Sequence, residues 1–165
     1  EDIAKQVHLS RNHGLADRNT VEQFGNVSRM DTLQATILEY RLSRLSQKIK
    51  KRRENADMYR ELLNSSQIHI PEEREEEFNT YHTLVIQCDK RNELKRYLMK
   101  QGIETAIHYP VPIHLQPAAS HLGYRKGDFP VTETQSERIL TLPIHQYLQE
   151  STIINISNCI NAFFS

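Results

Sequence analysis

The segment from Ile107 to Pro117 combines chemically active side chains with a stiff backbone. It holds three prolines, two histidines, a tyrosine and a glutamine within eleven residues. Each proline removes a backbone donor and fixes φ, so an ordered extended loop is predicted rather than a helix or a central strand. Imidazole and phenol groups on such a loop can hydrogen-bond the oxygens of a ligand. The alternative is a proline-stiffened connector whose polar groups cap neighbouring elements.

Other reactive motifs are not found in the sequence. His108, His114 and His121 are six and seven residues apart and lack a carboxylate cluster, so no metal site is predicted. Glycine-rich phosphate loops and the Gly-x-Ser-x-Gly nucleophile motif are absent as well, and those chemistries are not supported.

Composition narrows the classes of protein to consider. The 165 residues suggest one domain, or a domain with an attached arm. Lys and Arg total 21 and Asp and Glu total 21, and this zero net charge argues against a nucleic-acid binder. Cys88 and Cys159 have no Cys-x-x-Cys spacing and are typical of reduced thiols in a cytoplasmic protein.

Two further features concern location and completeness. No apolar stretch approaches the length of a membrane span, so no membrane association is predicted. The chain does not start with methionine and begins inside an apparent helix, from which we expect a fragment or a processed chain.

The first elements are predicted to be helical. Residues 2–12 have apolar side chains at helical spacing, and residues 15–28 form a polar loop. A long helix over 28–64 is predicted, with Ser28 as its N-cap and Asp31 as a capping-box acid. Its length suggests that it bridges two domains or two subunits.

The charged segments have two interpretations. The basic stretch 48–53 is either the solvated face of this helix or a patch for phosphate or nucleic acid. The acidic run 72–77 is interpreted as a solvated linker.

The second half of the chain alternates strand and helix patterns. The predicted elements are strand 81–88, helix 90–101 ended by Gly102, strand 103–107, helix 133–139 capped by Thr132, strand 139–142 and a helix from Ser151 to Phe164. This order predicts a small α+β sheet packed by helices, with the long helix as an arm.

Several short motifs in a fixed order resemble those of one enzyme family. They are Arg11–Gly14, Ser28–Leu38, Tyr81–His82, Gly102–Thr105, the His108–Gln116 loop, Leu122–Tyr124, Gly127–Pro130 and Leu140–Pro143. Together they resemble the C-terminal part of the DegT-like sugar-nucleotide aminotransferases over nearly the whole chain. These are pyridoxal-phosphate enzymes with an α/β architecture, the aspartate-aminotransferase fold type I.

The resemblance implies an activity and a domain division. Family members transfer an amino group, usually from glutamate, to a nucleotide-linked keto-sugar, and they work as homodimers. Residues 1–27 would be the tail of the large domain, 28–64 the interdomain helix, and 65–165 the small C-terminal α+β domain. The lysine that forms the Schiff base with the cofactor would lie upstream, so we expect this chain to be inactive alone.

The resemblance also implies site residues. His108 and Tyr109 would bind the substrate. His114 and Gln116 match the same loop and are interpreted as its supports.

A second group of site residues would face the cofactor phosphate. Asn26 and Arg29 fall in the corresponding region, but the position of the family's phosphate-binding asparagine holds Val27. A valine side chain cannot donate a hydrogen bond, and Asn26, one place earlier, is the substitute that we consider.

Three other functions remain open at this point. The chain could be a non-catalytic dimerisation module left by truncation, or part of a related sugar dehydratase if a histidine replaces the upstream lysine. A nucleic-acid-associated regulator would use the basic stretch 48–53, and its binding would weaken steeply with salt.

Overall fold

The computed structural model describes residues 1–64 and 66–165, which divide into unit 1, Glu1–Leu45, and unit 2, Ser46–Ser165. The described elements are α1 Asp2–Ser10, α2 Thr32–Leu42, α3 Leu45–Leu62, β1 Leu84–Gln87, α4 Arg91–Lys100, α5 Pro130–Arg138, β2 Ile139–Leu142 and α6 Glu150–Phe164. Short 3-10 helices occur at Ile113–Leu115 and Pro117–Leu122.

In unit 1, the loop after α1 folds back on itself. Asn12 pairs with Val27 and Leu15 with Val21 through isolated antiparallel bridges. Gly14 has a φ of +76°, and a Cβ there would overlap the backbone of Gln23, so this close approach requires glycine.

The prediction of one uninterrupted helix over 28–64 is wrong. Ser28 is not the N-cap, because α2 begins at Thr32 with Asp31 as its N-cap. The Ser28 N–H instead donates to the Arg11 carbonyl at 2.9 Å. The helix starts after Asp31, whose N–H donates to Gln34 Oε1 at 3.0 Å. The α2 helix ends at Leu42, and the Ser43 hydroxyl donates to the Tyr40 carbonyl at 2.8 Å. Such a local side-chain bond competes with helix continuation.

In unit 2, β1 and β2 form an antiparallel pair, with Leu84 opposite Leu142 and Gln87 opposite Ile139. The predicted strand 139–142 is confirmed, and β1 is the centre of the predicted strand 81–88. The predicted strand 103–107 is wrong as an extended element, because it pairs only through the bridge from Ala106 to Thr141.

The helices of unit 2 are close to the predicted ones, but two predicted caps are wrong. The α5 helix begins at Pro130, since proline is favoured in the first helical turn, and Thr132 lies inside it. The α6 helix begins at Glu150 after Gln149, so Ser151 is not its N-cap.

An apolar core fills unit 2. It joins α3, α4 and α6 to both strands, and its fully buried members include Tyr59, Ile86, Leu94, Leu98, Leu140, Leu142, Ile153 and Ile160. The sheet edge at β2 is thereby held rigid, and the loop over 108–116 starts beside it.

The basic stretch and the acidic run bind each other in part. Arg53 forms a forked ion pair with Glu73, with nitrogen–oxygen distances of 2.8 and 2.9 Å. Arg52 donates to the Tyr81 carbonyl at 2.9 Å and to Gln146 Oε1 at 3.0 Å. The interpretations as a solvated face and a solvated linker are therefore wrong for Arg52, Arg53 and Glu73.

Candidate functional site

The loop with His108 and Tyr109 leaves the sheet at β2. Ala106 and Thr141 exchange two backbone hydrogen bonds, of 3.2 and 2.7 Å, just before the loop begins. His108 Nδ1 then lies 3.0 Å from Thr141 Oγ1. Because Thr141 is buried in the strand, this contact fixes the orientation of the His108 imidazole ring.

His108 and Tyr109 present free polar groups next to each other. Their rings meet edge to face, with centroids 5.5 Å apart. No hydrogen bond to a described residue involves His108 Nε2 or the Tyr109 hydroxyl, and Tyr109 is 73% exposed. An imidazole nitrogen and a phenol are thus available to an oxygen-rich ligand.

His114 is placed differently, since it points inward. Its Nε2 lies 3.0 Å from Glu133 Oε1, and both side chains are almost fully buried. An ionised carboxylate only accepts hydrogen bonds, so His114 Nε2 bears the proton. The His114 ring also lies against Phe129, with centroids 4.8 Å apart.

Glu133 joins this loop to the turn before α5. Its two carboxylate oxygens accept from the Gly127 N–H at 2.8 and 2.9 Å, and Oε1 also accepts from the Phe129 N–H at 3.4 Å. The Gly127 N–H lowers the pKa of Glu133 most, burial opposes it, and the bond from His114 lowers the pKa further. The carboxylate is therefore charged at neutral pH.

Gln116 closes the loop internally. Its side-chain nitrogen donates to the Val111 carbonyl at 3.2 Å. The predicted extended loop is correct up to Pro112, but Ile113–Leu115 forms a 3-10 turn. The roles of His114 and Gln116 as supports stay predictions, and this geometry fits them.

Asn26 and Arg29 both lie in unit 1, where they line different cavities. Arg29 lines a cavity of about 580 Å³ together with Lys5 and Arg11. Asn26 lines another, of about 450 Å³. Val27, at the position of the family asparagine, is exposed and contributes only its backbone to a bridge.

Sequence reasoning missed Thr141 and Glu133 as members of this arrangement. Glu133 lies in the first turn of α5, directly after the Gly127–Pro130 motif, where an acid often caps backbone N–H groups. That position was the available signal for Glu133. Thr141 belongs to the Leu140–Pro143 motif, but nothing in that motif indicates its contact with His108.

The described residues contain neither a cluster of metal ligands nor a membrane-spanning helix. Over 1–64 and 66–165, no group of three or more His, Cys, Asp and Glu residues is arranged to hold a metal ion. Within the same ranges, every helix is too short or too polar to cross a membrane.

Comparison with known proteins identifies the class. Residues 1–161 match the model of the DegT/DnrJ/EryC1/StrS aminotransferase family. The chain belongs to this family of pyridoxal-phosphate-dependent sugar aminotransferases, and the resemblance inferred from the motifs is confirmed.

Individual relatives agree with this assignment. The erythromycin biosynthesis sensory transduction protein EryC1 of Saccharopolyspora erythraea is 34% identical over 97% of this chain and 44% of its own length. The dTDP-3-amino-3,6-dideoxy-alpha-D-galactopyranose transaminase of Aneurinibacillus thermoaerophilus is 30% identical over 98% of this chain and 44% of its own length.

A solved structure confirms the predicted fold class. The crystal structure of S. venezuelae DesV superposes with a TM-score of 0.89 at 28% identity, over 99% of this chain and 44% of that one. The chain therefore has the fold of one domain of the fold type I aminotransferases, of which it covers 44%. It spans less than half the length of the relatives that it matches, and the predicted domain boundaries stay predictions.

Proposed function

We propose that this chain is the C-terminal part of an enzyme that transfers an amino group from glutamate to a nucleotide-linked keto-sugar. Relatives named as dTDP-amino-sugar transaminases support this choice of substrate class. The enzyme would be a cytoplasmic homodimer that uses pyridoxal phosphate.

His108 and Tyr109 would bind the sugar nucleotide. The observation that supports this role is the fixed imidazole beside an exposed phenol. Thr141 holds His108 at Nδ1, which leaves Nε2 directed to a ligand, and the phenol adds a second polar group. Such preorganised groups bind hydroxyl and diphosphate oxygens with little loss of side-chain entropy.

Asn26 and Arg29 of unit 1 would donate to the phosphate of the cofactor. Among the described residues, no hydrogen bond or ion pair engages the side chains of Asn26 and Arg29. An amide and a guanidinium are suitable donors to a phosphate, and the guanidinium adds charge. When bound, pyridoxal phosphate supplies an electron sink for the amino-transfer chemistry.

The lysine that binds the cofactor covalently would lie upstream of residue 1. The 165 residues alone would then hold the loop of the small domain but transfer no amino group. Adding the upstream part should restore activity, whereas a histidine at the lysine position would favour the dehydratase alternative.

The test uses the full-length protein loaded with pyridoxal phosphate. We expect a nucleotide-linked keto-sugar and glutamate to yield 2-oxoglutarate, and His108→Ala to raise KM for the sugar nucleotide about tenfold. The matched control is His121→Ala, because His121 is exposed on the neighbouring 3-10 helix. Equal KM values for the two variants would contradict the role of His108, and the absence of 2-oxoglutarate with every keto-sugar would contradict the proposed function.

A further inference from the structure

The loop over 108–116 is not held by apolar packing. Most of its apolar side chains are exposed, with Ile113 83% exposed and Val111 and Tyr109 exposed as well, whereas Leu115 is half-buried. Within this loop, His114 is the buried side chain among the described residues. The middle of the loop is therefore held mainly by polar contacts, which are those of His114 and the hydrogen bond from Gln116 to the Val111 carbonyl.

Those contacts converge on one carboxylate. Glu133 receives the His114 Nε2–H and the N–H groups of Gly127 and Phe129, which together occupy both of its oxygens. The ring of Phe129 lies between His114 and Tyr124, with centroid distances of 4.8 and 5.1 Å. The loop and the turn 124–129 are thus joined by the Glu133 carboxylate and by the contact between the His114 and Phe129 rings.

We infer that Glu133 is a positioning residue for sugar-nucleotide binding, which holds the loop of His108 and Tyr109 and the turn 124–129 as one unit. This inference rests on the proposed function, because it assumes that His108 and Tyr109 bind the substrate. Glu133 itself does not touch the substrate. It acts by fixing His114 and thus the path of the loop.

Loss of this carboxylate has a defined consequence. In Glu133→Gln the charge is lost, one oxygen remains for the N–H groups of His114, Gly127 and Phe129, and the new NH2 group takes the place of an oxygen that accepts from Gly127. These donors can then no longer all be paired, and a buried unpaired donor is unfavourable. If the loop opens, water can accept hydrogen bonds from these N–H groups. Opening exposes little additional apolar surface, because most of the apolar residues of the loop are already exposed. Substrate binding would then include the cost of ordering the loop again.

The experiment compares Glu133→Gln with Glu137→Gln in the full-length protein. Glu137 lies one turn further along α5, is exposed and has no hydrogen bond or ion pair to a described residue. In Glu133→Gln we expect backbone amide hydrogen exchange at 113–116 to accelerate about tenfold. KM for the sugar nucleotide should rise about fivefold while kcat changes less than twofold, as expected for lost uniform binding.

A second pair of variants covers the case in which Glu133→Gln does not fold. His114→Leu removes the same hydrogen bond from the loop side, and His114→Gln retains an N–H donor. We expect the first to reproduce the faster exchange and the higher KM, and the second to recover at least part of both.

The outcomes separate the two proposals. Unchanged exchange and unchanged KM in Glu133→Gln and His114→Leu would overturn the positioning role. A lowered melting temperature with unchanged KM would also overturn it, since the role would then be purely structural. A third outcome is that the wild type transfers no amino group, while hydrogen exchange at 113–116 is faster in Glu133→Gln and unchanged in Glu137→Gln. The proposed function would then fail, but the coupling of the loop to the turn would be retained.

Discussion

Units 1 and 2 differ in what they bury. Unit 2 encloses a continuous apolar core made by three helices and two strands. In unit 1 Leu9 is the buried apolar side chain among the described residues, and α2 has no buried residue although Leu33, Ile37 and Leu38 lie on it. Unit 2 can therefore supply its own hydrophobic stabilisation, whereas unit 1 relies on backbone bridges and local hydrogen bonds.

The largest effect should come from the core of unit 2. In the 165-residue chain, Leu98→Ala should lower the free energy of unfolding by about 2 to 5 kcal/mol, because it leaves a cavity between α4 and its neighbours. Urea denaturation followed by circular dichroism measures this change. The matched control is Met99→Ala, since Met99 is the next residue of α4 and is 61% exposed. Equal losses in the two variants would refute the description of the core.

A smaller effect should come from the polar link between α3 and α6. Asn161 donates to the Leu62 carbonyl at 2.8 Å and accepts from the Asn64 N–H at 3.3 Å. Asn161→Ala should cost about 1 to 2 kcal/mol, since these groups at the end of α3 lose their partner. The same urea titration tests it, with the exposed Asn158→Ala on α6 as control. A loss as small as that of the control would mean that water replaces the link.

The ion pair of unit 2 should be visible as a pH dependence. The hydrogen bond from Arg53, followed by that from the Asn79 N–H, lowers the pKa of Glu73 from 4.5 to about 2. Because the folded carboxyl has the lower pKa, its contribution to stability is complete above pH 4.5 and is lost as the pH falls toward 2.

Glu73→Gln tests this pH dependence. We expect it to lower the urea midpoint at neutral pH, and the difference from the wild type should shrink as the pH approaches 2. Glu76→Gln, in the same acidic run but exposed, should show no such trend. A constant difference at all pH values would show that the ion pair is not the cause.

The smallest effect is expected in unit 1. In the 165-residue chain, Leu33→Ala should change the free energy of unfolding by less than about 0.5 kcal/mol, because the side chain is 72% exposed. A decrease in the free energy of unfolding as large as that of Leu98→Ala would contradict the difference in burial between the two units. It would mean that this face of α2 is covered in solution.

Local patterns sufficed for three elements of unit 2, which are α4, α6 and β2. The helices α4 and α6 and the strand β2 were predicted because each has a clear apolar period and a nearby stop signal such as Gly102. Cap positions were less predictable. The α5 helix starts at Pro130, ahead of the predicted cap Thr132. Ser28 does not start a helix, and its N–H donates to the Arg11 carbonyl.

These local patterns do not identify side chains that pair across a long stretch of sequence. Arg53 and Glu73 are 20 residues apart, and the basic and acidic runs were therefore interpreted separately. Likewise, His114 was recognised as a loop residue from its motif, but spacing could not select Glu133 as its acceptor. Pairing of this kind depends on how the chain folds back, which sequence periodicity does not encode.

The link through Asn161 has a consequence for the order in which unit 2 forms. It joins residues that are 97 and 99 positions apart, and contacts of such separation close late and slowly. During synthesis, α3 leaves the ribosome long before its partner on α6 exists. Unit 2 should therefore remain incomplete until residue 161 has emerged from the ribosome.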